Sequence, residues 1–237
     1  AEIGVMLMMF GVGMHFHIKD LAGVKRVALP GALGQSAAAT LACMGLAALA
    51  GWGLSGSIVL GIAVSVASTV VLLRCLGDHG LVESPEGKSA VGWLLVEDIL
   101  TVIILVVLPP LAAPAGEGAG LWSTLLLALV KLAIFMVIML VAGARIVPRL
   151  LQHVAALRSQ ELFTLAVLVL AVAVATIAYY LFGASMALGA FLAGMVVGQS
   201  RASHQAAADL LPMRDAFAVL FFVSVGMLFD YHVLLES

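Results

Sequence analysis

Charge is scarce in this chain of 237 residues: Asp, Glu, Lys and Arg make up only 10% of it. A soluble domain carries about 25%. Hydrophobic residues account for 64%, and the mean hydropathy is +1.21. That balance excludes a soluble fold. The net charge of -2 comes without a basic stripe, which excludes nucleic acid as a partner. Only two cysteines are present, Cys43 and Cys75. They lie in or at the end of separate apolar segments. Their spacing fits neither a disulfide framework nor a metal site, so they read as small packing residues. Alternation over ten-residue segments, the mark of a membrane β-barrel, is missing. So are HExxH, GxSxG, a Gly-rich phosphate loop and a pair of catalytic Asp residues on separate spans. No enzyme motif remains and no cofactor is implied. No signal peptide is visible, and the chain enters an apolar run directly at Ala1, as expected of a piece of a longer protein.

What is present is a series of long apolar runs, the pattern of an all-α, polytopic transmembrane bundle in a lipid bilayer. Eight candidate spans cover residues 3–18, 27–50, 56–76, 87–108, 122–145, 161–181, 185–199 and 213–229. Most approach the ~20 residues that a bilayer core requires. Lys19, Lys25 and Arg26 follow the first span. Arg74 and Lys88 follow the third, Arg145, Arg149 and Arg158 the fifth, and Arg201 and Arg214 the seventh. The intervening loops carry no Lys or Arg. Ten of the eleven basic residues therefore fall on alternate loops. The positive-inside rule places those loops in the cytoplasm and both ends of the segment outside.

The polar residues within the spans carry the functional signal. Glu97 and Asp98 stand side by side in the apolar segment from Gly87 to Leu108, with Asp98 close to its middle. An acid at mid-bilayer costs about 2.5–3.5 kcal/mol on insertion scales. Binding a cation or relaying a proton gives a reason to keep it. Adjacent helical positions point about 100° apart, so the two acids cannot share one small face. The alternative is a structural pair, each acid bonded to a neighbouring helix. The preceding span reads Ser65-Val66-Ala67-Ser68-Thr69-Val70-Val71, with three hydroxyls near mid-depth. Such hydroxyls can bond back to their own helix. They can also line a helix interrupted at mid-membrane, where freed carbonyls and hydroxyls supply oxygen ligands. Ser68, Thr69 and Asp98 would then form a monovalent-cation site.

Lys131, the eleventh basic residue, lies about 13 Å inside the fifth span at 1.5 Å per residue. It either snorkels to the interface or pairs with a buried acid. His15 and His17 sit at the cytoplasmic end of the first span, as interfacial residues or pH sensors. Small residues from Gly183 to Gly198 read as a close-packing surface, and the eleven methionines as core filler.

Five motifs then carry a resemblance. They are Glu2–Phe10 with Gly11-Val12-Gly13, Ser65–Leu72, Gly92–Leu100 (GWLLVEDIL), Ala187–Gly194 and Phe221–Met227. In this order they resemble the monovalent cation:proton antiporter-2 family, a sodium/hydrogen exchanger-like membrane domain that includes the Kef-type potassium/proton antiporters. The resemblance runs the length of the chain. It implies a partial antiporter transmembrane domain over 1–237, built on an inverted-repeat fold with one interrupted helix at the ion site. It implies an alternating-access transporter rather than an enzyme, exchanging K+ (in preference to Na+) for protons at Asp98. It further implies a bacterial inner membrane, a homodimer, about two helices before Ala1 and three after Ser237, and a cytoplasmic nucleotide-binding regulatory domain beyond them. The family's second interrupted helix is not visible between Glu161 and Phe229, where Glu161 and Asp215 read as lying at helix ends.

Two departures matter. The acid pair reads Gln-Asp in typical Kef proteins, Asp-Asp in electrogenic sodium antiporters and Asn-Asp in electroneutral ones. Glu97-Asp98 is a fourth pairing, which opens a role for Glu97 as a second proton carrier. His15-Phe16-His17 stands where the family usually has an acid, which marks a sub-branch. A ligand-gated cation channel and a non-transporting sensor with a vestigial site are the competing readings.

Overall fold

A computed structural model describes residues 2–112, 121–200 and 202–227. Among these it is all-α, with no strand. The helices are α1 (Glu2–Met14), α2 (Ile18–Leu49), α3 (Leu54–Ser65), α4 (Thr69–Asp78), α5 (Pro85–Ala112), α6 (Leu121–Ile138), α7 (Ala144–Ala156), α8 (Gln160–Phe182), α9 (Met186–Gly198) and α10 (Ser203–Met227). A five-residue π-helical turn, Met139–Gly143, joins α6 to α7.

Four continuous runs are long and apolar enough to cross a bilayer: 23–49, 54–78, 123–156 and 160–182. The bent α10 makes a fifth, with a 43° change of direction between Leu210 and Pro212. Proline explains the bend, since it lacks an amide donor and clashes with the preceding turn. α1 and α9 are apolar but have only 13 residues each, about 20 Å at 1.5 Å per residue. Glu97 and Asp98 lie on the 28-residue α5.

Helix ends differ from the hydropathy boundaries where charged residues continue a helix. α2 begins at Ile18 rather than 27, so Lys19, Lys25 and Arg26 belong to its first turns. α7 carries the helix from Arg145, the last residue of the fifth apolar run, on past Arg149. α10 begins at Ser203, so Asp215 falls within it, in the first turn after the bend at Leu210 and Pro212. It is exposed and pairs with Arg214 at 2.9 Å. Lys and Arg are good helix formers, and apolar scanning stops at them when the helix does not.

Other boundaries follow local chemistry. Ser159 caps α8 by accepting the Leu162 amide at 3.2 Å, and Ser185 caps α9 by accepting the Leu188 amide at 3.0 Å. Gly183 ends α8 in the left-handed conformation at φ 69, which suits a residue without Cβ.

The chain forms two compact units. One comprises residues 1–17 and 129–237, the other 18–128. In the first, α1 packs on α9 and α10, and α8 on α9. Glycines set that spacing. A Cβ on Gly194 would meet the Phe10 carbonyl, one on Gly198 the Met14 carbonyl, and one on Gly13 the Phe191 carbonyl. The small-residue surface of α9 is thus a packing surface. Phe10, Phe16, Phe163 and Phe191 are fully buried in this unit. In the second unit, α2 packs on α3 and α5, and α4 touches α5. Leu46, Leu54, Leu126 and Tyr180 are among many exposed apolar side chains, as lipid-facing surfaces require.

Candidate functional site

The second unit contains the interruption. α3 ends at Ser65 and α4 starts at Thr69. Between them the backbone is extended, with Val66 at φ -79, ψ 115 and Ser68 at φ -76, ψ 102. Neither proline nor glycine lies within the break, so its cause is tertiary. A broken helix leaves carbonyls at one end and amides at the other without partners, and in an apolar setting each unpaired group is costly.

Side chains from two neighbouring helices meet those groups. Gln35 on α2 donates from Nε2 to the Ser65 carbonyl at 3.0 Å. Glu97 on α5 accepts the Ala67 amide on Oε2 at 3.2 Å. Its other oxygen, Oε1, accepts Trp93 Nε1, also at 3.2 Å. Glu97 is 3% exposed. Ser65, itself buried, bonds back from Oγ to the Ile62 carbonyl at 2.8 Å. The break is therefore held from both sides, with a donor given to the freed carbonyl and an acceptor to the freed amide.

The structure distributes the sequence-derived site residues unevenly. Glu97 is the carboxylate that meets the interrupted backbone. Asp98, the next residue, is half-buried on the same helix. Ser68 is exposed at the N-cap of α4, without a side-chain cap bond, and Thr69 is half-buried at its first position. Lys131 is exposed on α6 in the first unit, while Glu97 and Asp98 belong to the second.

Gln35, Trp93 and Gly31 add to these. Gln35 is an amide within an apolar run, and Trp93 lies one helical turn before Glu97; these were the available sequence signals. Gly31 had none, since its role depends on what packs against it. In the first unit, His15 donates from Nδ1 to the Gly11 carbonyl at 2.8 Å. With Arg214 it lines a cavity of about 180 Å³ otherwise walled largely by apolar side chains. Among the described residues, no three His, Cys, Asp or Glu side chains cluster as a metal site.

Comparison with known proteins covers the whole segment. The family model described as sodium/hydrogen exchanger, transmembrane, matches residues 1–237. A protein of Escherichia coli (strain K12), provisionally named cation/proton antiporter YbaL, is 52% identical over 100% of this chain and 43% of its own length. A protein of Alkalimonas amylolytica, provisionally named K(+) efflux antiporter KefB, is 32% identical over 100% of this chain and 35% of its own. The chloroplastic K(+) efflux antiporter 1 of Arabidopsis thaliana is 29% identical over 100% of this chain and 20% of its own. The chain spans less than half the length of these relatives.

Proposed function

The chain belongs to the sodium/hydrogen exchanger transmembrane family, and from that membership we propose that it forms part of a monovalent cation:proton exchanger whose shared site is Asp98. The observation that carries this reading is the interrupted helix at 66–68, held by Gln35 and by Glu97, the residue next to Asp98. Freed backbone and hydroxyls at mid-depth are the setting in which transporters bind ions.

Asp98 accepts either a proton or a cation. Competition between them couples the two fluxes, because neither species crosses on a carboxylate held by the other. Ser68 and Thr69 contribute oxygen ligands. Glu97 has hydrogen bonds to both oxygens and serves as the fixed acceptor beside the exchanging acid. Alternating access exposes that site to each side of the membrane in turn. K+ is the proposed cargo, on the names of the relatives. The proposed setting is a bacterial inner membrane, with the complete protein as a homodimer bearing a cytoplasmic regulatory domain outside this segment.

The test is cation-driven proton flux in proteoliposomes with the complete protein. Asp98→Asn is expected to abolish exchange while leaving the protein folded. Undiminished exchange in that variant would remove Asp98 from the site.

A further inference from the structure

Trp93 and Gly31 are not used by the exchange reading, yet their geometry leads to it. The Trp93 indole donates to Glu97 Oε1 at 3.2 Å from one turn earlier on α5. The same indole lies against α2 at Gly31. A Cβ there would meet Trp93 Cζ3, with Cε3 at 2.6 Å and Cη2 at 2.7 Å. All three separations fall below 3.0 Å, so an alanine fits only if the Trp93 indole moves away from α2. Gly31 is the seat that lets the indole lie where its N–H reaches Glu97. One turn further along α2, Gln35 holds the Ser65 carbonyl.

A physical chain thus runs from Gly31 through Trp93 and Glu97 to the Ala67 amide. A glutamate side chain has several rotamers, and fixing it costs conformational entropy. The Ala67 bond alone holds one oxygen. The indole bond holds the other and selects the rotamer that keeps the acceptor on the break.

We infer that Trp93, seated on Gly31, is a positioning residue of the ion site: it orients Glu97 so that the extended segment Val66–Ser68 keeps the geometry in which the cation binds. The inference rests on the exchange reading above. Trp93 itself touches neither cation nor proton. Its loss is expressed in cation affinity, with the turnover of the occupied site little changed.

The experiment uses the complete protein in proteoliposomes with K+ as the probe, measuring KM and maximal rate separately. Trp93→Phe keeps an aromatic ring and removes the donor. It is expected to raise the KM for K+ by roughly tenfold, the equivalent of about 1.4 kcal/mol, with the maximal rate within about twofold. Gly31→Ala displaces the indole and is expected to do the same. It also provides the readout if Trp93→Phe does not fold. Combining the two changes should add nothing, since phenylalanine lacks the outer ring that the new methyl would strike. Trp52→Phe, at an exposed tryptophan, should leave KM unchanged. Asp98→Asn is run in parallel. If it abolishes exchange while Trp93→Phe and Gly31→Ala leave KM unchanged, or lower only the maximal rate, the positioning role is wrong and the exchange site stands. Retained exchange in Asp98→Asn overturns the site and the positioning role together.

Discussion

Glu97 has one hydrogen bond on each carboxylate oxygen and almost no exposed surface. Its replacement by alanine leaves the Ala67 amide and the indole N–H without acceptors. A buried donor left unpaired costs about 1–3 kcal/mol, so Glu97→Ala should lower the melting temperature of the detergent-solubilised protein. Glu97→Gln keeps an oxygen for one of the two donors. Its melting temperature should fall less and its exchange should survive, with altered pH dependence. Equal melting temperatures for the two variants would mean that the acceptor role is unimportant. The acid pair stood out in the sequence because charge is so rare in its segment. The division of labour within it did not. Which acid reaches residue 67 depends on how α5 is rotated against α3 and α4, and two neighbours on a helix look equivalent until that rotation is known.

The interrupted helix was legible as a hydroxyl-rich stretch and through the family resemblance. Its clamps were not, because Gln35 bonds a carbonyl 30 positions away and Ala67 bonds a carboxylate 30 positions away. No local pattern encodes such pairs. The packing of α9 shows the opposite case, since repeated small residues announce close approach and the structure supplies the partner, α1. Gly194→Ala would press a methyl against the Phe10 carbonyl. Overpacking of this kind costs about 1–3 kcal/mol, and thermal unfolding should register it. At Gly45 on α2, an added Cβ would have nothing within 4 Å. Alanine is favoured over glycine in a helix by about 0.8–1 kcal/mol, so Gly45→Ala should be neutral or stabilising. Destabilisation by both changes alike would mean that glycine acts here through something other than helix contact.

For the molecule as a whole, we propose an orientation set by the basic residues, although several lie on helices instead of loops. Arg158, between α7 and α8, falls on the cytoplasmic side by that rule, and Gly183, between α8 and α9, on the other. With Cys43 and Cys75 replaced, a cysteine at position 158 should react with a membrane-impermeant maleimide in inverted vesicles only. One at position 183 should react in right-side-out vesicles only. The reverse labelling would invert the proposed topology. The break, both acids and the indole all belong to one compact unit, so the proposed exchange chemistry is concentrated there. Competition at Asp98 is the central claim, and proton release tests it most directly. Adding K+ to the complete protein in weakly buffered detergent solution should release protons in the wild type and none in Asp98→Asn. K+ binding without proton release in the wild type, or equal release in the variant, would contradict exchange at Asp98.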